Sequence, residues 1–134
     1  MATHHTALVY TMVLVSAADG EMSDPELAAI GEIVRTLPVF KDYDTDHLPE
    51  TAADCAELLG EDDGLETVLG LIAEWLPAKL RETSYHLACE VAAADLSADQ
   101  EELRLLEMLR DQLDIDRLAA AAIERGVRAR HATL

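Results

Sequence analysis

Four carboxylates at matched spacing are the residues of this chain best placed to do chemistry. Asp19 closes an apolar run in AADGEMSDPE, residues 17–26, and Glu26 follows it by seven positions. Asp95 closes a second run in AADLSADQEE, residues 93–102, and Glu102 follows at the same interval. An aspartate at a helix C-terminus faces the negative end of the helix dipole, a place that favours cations. Its side chain must therefore meet something positive: N–H groups opening the next helix, an arginine, or a metal. Last-turn carbonyls would add hard oxygen donors, and a glutamate in the next helix's first turn could swing back to the same point. Such an all-oxygen set, Asp19 with Glu26 or Asp95 with Glu102, suits Ca²⁺ or Mg²⁺ rather than zinc. Ordinary capping explains each hairpin equally well without metal, since turn aspartates accept backbone N–H bonds and first-turn acids oppose the dipole. Capping, however, requires neither the same pair of acids nor the same spacing twice. The loop is not an EF-hand: counted from Asp19, it has Asp24 where that loop needs glycine and Ile30 where it needs the bidentate glutamate.

The elements that must position these acids are helices, because helical periodicity dominates and no segment sustains strand-like alternation. A first helix is expected over about 6–18, apolar on nearly every side through Leu8, Tyr10, Met12, Val13, Leu14 and Val15. A helix of that kind belongs in the middle of a bundle. Ser23-Asp24-Pro25-Glu26 then reads as a helix start, with Ser23 as N-cap, Pro25 in the first turn and Glu26 closing a capping box. The second helix carries Leu27, Ile30, Ile33, Val34 and Leu37 on one stripe and stops before Pro38.

A polar connection, residues 38–47, leads to a third helix from near Pro49 to Gly60. GEDDG, residues 60–64, reads as a turn with capping acids, and Leu65, Val68, Leu69, Ile72 and Leu76 mark a fourth helix. Pro77 should break it and sit in the first turn of a fifth that runs to about Ala94. A sixth is expected from about Ala98 to Leu113 and a seventh from about Ile115 to Val127. The fold class is all-α: a compact bundle of about seven helices in one domain spanning 1–134.

Shifted by 76 residues, the chain superposes on itself without a gap over two helical hairpins. Val15, Ala17, Ala18 and Asp19 fall on Val91, Ala93, Ala94 and Asp95; Glu26, Leu27 and Leu37 fall on Glu102, Leu103 and Leu113. Buried stripe and acid pair thus stay in register, so helices 1–2 and 5–6 read as two copies of one unit.

Composition narrows the partners. The chain is 50% hydrophobic but only 4% aromatic, a mixture that suits small-residue helix packing. Its 27 Asp and Glu against 10 Lys and Arg give a net charge of −17, and a phosphate backbone would be repelled by such a surface. Nucleic acid is therefore not an expected partner, whereas cations and basic protein faces are. No Lys or Arg interrupts the acidic stretch from Asp42 to Glu66. Two cysteines make no disulfide framework, and the first apolar run lacks a basic flank and is too short to span a membrane. A cytoplasmic chain without direct membrane insertion is expected.

Other constellations carry less. His86, Cys89 and Glu90 stand at i, i+3 and i+4, a spacing that could serve a nucleophile or part of a zinc site. Their counterparts under the 76-residue shift are Tyr10, Val13 and Leu14, so a packed histidine and a buried thiol are expected instead. His4 and His5 fall at a terminus expected to fray, and His47 lies in the acidic connection. Trp75 and Phe40 read as core or capping hydrophobes. There is no HExxH, P-loop, GxSxG or glycine-rich dinucleotide turn, so neither an organic cofactor nor catalysis is expected.

A helix ending in Ala17-Ala18-Asp19-Gly20, a short turn, then Glu26-Leu27 opening an amphipathic helix resembles the tellurite-resistance TerB family. So does the second hairpin, in which an Ala-rich helix ending at Asp95 leads to EELRLLEMLRDQLDID, residues 101–116. The resemblance covers about Ala7 to Gly126 and implies an all-helical module whose acidic residues hold divalent metal. Carried over residue by residue, those are Asp19 and Glu26 in one hairpin and Asp95 and Glu102 in the other. Leu96 stands where the first hairpin has Gly20, which makes the second turn the less tight. The resemblance further implies bacterial resistance to tellurite and other stresses, within assemblies of other proteins that are partly membrane-associated. Two readings follow for function: a non-enzymatic stress-response module binding Ca²⁺ or Mg²⁺ through its hairpin turns, or a metal-free module whose acidic face engages a basic protein. Oligomeric state is not legible.

Overall fold

A helix with no polar side must be enclosed, and α1 (His4–Ser16) is: every residue from Ala7 to Ser16 is buried. The computed structural model describes residues 3–17, 22–94 and 100–134. Around α1 lie α2 (Asp24–Thr36), α3 (Leu48–Leu59), α4 (Gly64–Trp75), α5 (Arg81–Ala94) and α6 (Gln100–Gln112), with α7 (Arg117–Arg130) packed on the outer side of α5. Seven α-helices and no strand occur among the described residues, which makes this the expected all-α bundle. α1 packs chiefly on α5, α3 and α4, while α2 leans on α5, and α6 on both α5 and α1.

Polar groups on the central helix are satisfied locally, as burial demands. The Thr11 hydroxyl lies 2.8 Å from the Ala7 carbonyl oxygen and 2.8 Å from Ser84 Oγ on α5, and Ser16 Oγ donates to the Val13 carbonyl at 3.2 Å. The first turn of α1 makes contacts beyond its own helix. His5 Nε2 lies 2.8 Å from the Val39 carbonyl oxygen and its ring stacks on buried Phe40, centroids 5.6 Å apart. The connection after α2 thus folds back on α1, through 3₁₀ turns at Pro38–Phe40 and Thr45–His47.

Several boundaries move for local reasons. Pro77 has extended ψ and precedes a 3₁₀ turn, Ala78–Leu80, so α5 starts at Arg81 rather than at the proline. Asp116 accepts N–H bonds from Leu118 and Ala119, 3.1 Å each, which sets the start of α7 at Arg117. That helix continues past Val127 to Arg130. The acids of the 60–64 turn were expected to cap α4, but Asp63 takes left-handed backbone, φ 59°, and its side chain caps nothing. The start expected for the sixth helix, Ala98, lies outside the described residues.

The repeat holds in three dimensions. Moved by 76 residues, the last residue of α2, Thr36, falls on the last residue of α6, Gln112. Leu27 was placed on the buried stripe, yet it is 49% exposed, and its counterpart Leu103 is 50% exposed. The inward position next to each leucine belongs to a glutamate, about 100° round the helix. No helix among the described residues is long and apolar enough to cross a membrane.

Candidate functional site

Glu26 owes its position to the capping box at the start of α2. Its Oε1 accepts from the Ser23 backbone N–H at 3.1 Å and from Ser23 Oγ at 3.0 Å, while the Glu26 N–H donates to Ser23 Oγ at 3.3 Å. These bonds draw the carboxylate inward, leaving Glu26 2% exposed. Its other oxygen, Oε2, is buried and has no hydrogen-bond partner among the described residues. A buried acceptor without a partner carries the desolvation cost of its group, on the order of 1–3 kcal/mol and more for a charge. Glu102 occupies the same place in α6 and is 4% exposed. Asp19 and Asp95 lie outside the described residues, so of the four expected ligands the structure places Glu26 and Glu102. Among the described residues no three His, Cys, Asp or Glu side chains gather closely enough to hold a metal ion.

The His86–Cys89–Glu90 constellation comes apart. His86 points out and is exposed, not packed, because the apolar side of α5 is filled by Tyr85, Leu87 and Ala88. Cys89 is buried as expected, and burial pushes its thiol up to about 12; Cys55, also buried, is pushed up to about 12 for the same reason. Neither thiol is an activated nucleophile. Tyr85, 1% exposed, donates from its hydroxyl to Glu124 on α7 at 2.5 Å, and Arg110 reaches the same carboxylate oxygen at 3.4 Å.

Glu90 pairs with the end of α7 instead of with His86 or Cys89. It is buried on α5, and Arg130 Nε donates to both its oxygens, at 3.0 and 3.2 Å. His131 Nε2 lies 2.9 Å from Oε2. The signal was present: one acid inside an Ala/Val run, CEVAAA, and a late run of arginines. Burial raises the Glu90 carboxyl, but the hydrogen bonds from His131 and Arg130 outweigh it and hold the group below its usual range. A carboxyl lowered by folding stabilises the folded state above the unfolded pKa, and that stabilisation is lost as pH falls through the folded value. Because Arg130 stays largely exposed, Glu90→Gln should cost on the order of 1 kcal/mol at neutral pH. Urea midpoints of the two chains should converge as pH drops below 4.5. A gap that persists at low pH would show that the charge contributes nothing.

Comparison with known proteins bears on the whole arrangement. A family model described as tellurite resistance protein TerB matches residues 5–125, while no curated protein and no solved structure matches the chain. The match takes in both hairpins, the three buried glutamates Glu26, Glu90 and Glu102, and α7 as far as Arg125. The chain therefore belongs to the TerB family and is a module of the tellurite-resistance type.

Proposed function

We propose that the chain is a non-catalytic stress-response module that binds a divalent cation at its hairpin turns, acting alongside other proteins. The observation that supports this most directly is Glu26 Oε2, a carboxylate oxygen buried with no hydrogen-bond partner among the described residues. Oε1 is already committed to Ser23, so a cation would take the second oxygen without dismantling the cap. Glu26 alone is too little, and the reading includes Asp19 from the same turn, with Asp95 and Glu102 as the repeated set. All four donors are carboxylates, a hard set that fits Ca²⁺ or Mg²⁺. Bound cation would offset the buried charge and couple the end of one helix to the start of the next.

Thermal unfolding of the full chain tests this. Millimolar Ca²⁺ or Mg²⁺ should raise Tm by several degrees, since a cation at a hundredfold its Kd adds about 2.7 kcal/mol. Glu26→Gln keeps an acceptor for Ser23 but removes the charge, so this chain should be at least as stable as the parent without metal and respond less to it. Asp19→Asn with Glu26→Gln should remove most of the response. A parent Tm indifferent to both cations would falsify the metal reading.

A further inference from the structure

On the side of the molecule where α1 begins, a cleft of about 600 Å³ opens between that helix, the 38–47 connection, α3 and the end of α4. Its size is within the range of small-molecule sites, roughly 300–1,000 Å³. Glu50 and Asp54, one turn apart on α3, line it together with Asp42 and Asp44 from the connection, and no Lys or Arg does.

Aromatic rings and the threonines Thr3, Thr6 and Thr51 form the rest of the lining. Trp75 meets Tyr10 edge-on at 5.5 Å, and Tyr43 completes a cluster of three rings with His5 at 5.2 Å and Phe40 at 5.5 Å. Tyr10 is buried and Phe40 is core, so the ring positions are set by packing before any ligand arrives. The Tyr43 hydroxyl, beside Thr51, is shielded from solvent and makes no hydrogen bond of ordinary geometry among the described residues. Burial foremost, with the charge of Asp54 adding to it, holds the Tyr10 phenol above its usual range, so that ring stays neutral.

The chemistry of the occupant follows from how the charge is spread. A metal ion needs several donors converging on one point, and no three such side chains converge among the described residues. A broad cation with a flat, weakly hydrated face is the better match for dispersed carboxylates beside aromatic rings. Guanidinium has that shape and can be held by two carboxylates at once, whereas a primary ammonium is compact and strongly hydrated. We propose that this cleft binds a guanidinium group, drawn in by Glu50, Asp54, Asp42 and Asp44 and packed against the rings of Tyr10, Tyr43 and Trp75. The group could be a free guanidino compound or the arginine of a partner chain.

Trp75 is the only tryptophan and lines the cleft, so its fluorescence in the full chain reports on this cleft. Agmatine and the peptide acetyl-Gly-Arg-Gly-amide would be titrated at constant ionic strength and constant pH. Butylamine and Mg²⁺ serve as comparators. A saturable change with at least one guanidino probe is expected, with butylamine weaker by about fivefold or more. Glu50→Gln with Asp54→Asn should weaken binding by about tenfold, and Asp44→Asn, in a separate chain, by less. Saturation by the peptide alone assigns the source to a partner's arginine, and by agmatine alone to a free compound. Glu26→Gln should leave the response unchanged, which separates this site from the hairpin turns. The proposal is overturned if neither guanidino probe saturates, if Mg²⁺ gives the same change, or if the Glu50/Asp54 chain binds as tightly as the parent.

Discussion

Leu8→Ala should destabilise the chain by about 2–5 kcal/mol, read as a fall in the urea midpoint at unchanged slope. Leu8 is fully buried and sits on a helix enclosed along ten consecutive residues, with α3, α4 and α5 around it. A side chain deleted there leaves a hole that neighbouring helices cannot fill, because each also packs against others. Against a typical total of about 5–15 kcal/mol, that is a large share of the fold's stability. Leu27→Ala is the matched comparison: the same atoms removed from a leucine 49% exposed should change stability by about 0.5 kcal/mol or less. Equal midpoints for the two variants would mean that α1 is not the centre of the core.

Gly64→Ala should be damaging for a different reason. A Cβ at this position would lie 2.3 Å from the Leu58 carbonyl oxygen and 2.8 Å from that of Leu59. Both obstacles are backbone at the end of α3 and cannot rotate away, so the α3–α4 corner must open. Overpacking of this kind costs about 1–3 kcal/mol and sometimes more. Gly70 and Gly126, also helical, have nothing within 4 Å of the same added atom. Alanine at either should be stabilising by about 0.4–1 kcal/mol, since it lowers the freedom of the unfolded chain and nothing opposes it. If Gly64→Ala melted together with Gly70→Ala, the tight corner would be wrong.

How far the fold could be read from sequence depended on whether the governing interaction was local. The capping box at Ser23–Glu26 is four residues long and reads directly, as does the apolar girth of α1. The start of α5 and the backbone of Asp63 did not read correctly, because a proline can precede a 3₁₀ turn as well as an α-helix. The exposure of Leu27 and Leu103 was hidden by treating leucine as interior and glutamate as surface, whereas the cap drew Glu26 inward. Glu90 was hidden by distance: its partners lie 40 and 41 residues away on another helix. For the candidate site, residue types and spacing named the glutamates, but their burial had to come from packing. The two aspartates lie outside the described residues.

The two thiols have a consequence for the conditions under which such a protein works. Cys55 and Cys89 are each wrapped in the core and kept protonated. Oxidants that exhaust a cell's reduced sulfur act on exposed thiolates, and this chain offers none. Among the described residues the fold therefore presents no thiolate to such oxidants, and the sulfurs left open to them are the thioethers of the half-buried Met22 and Met108.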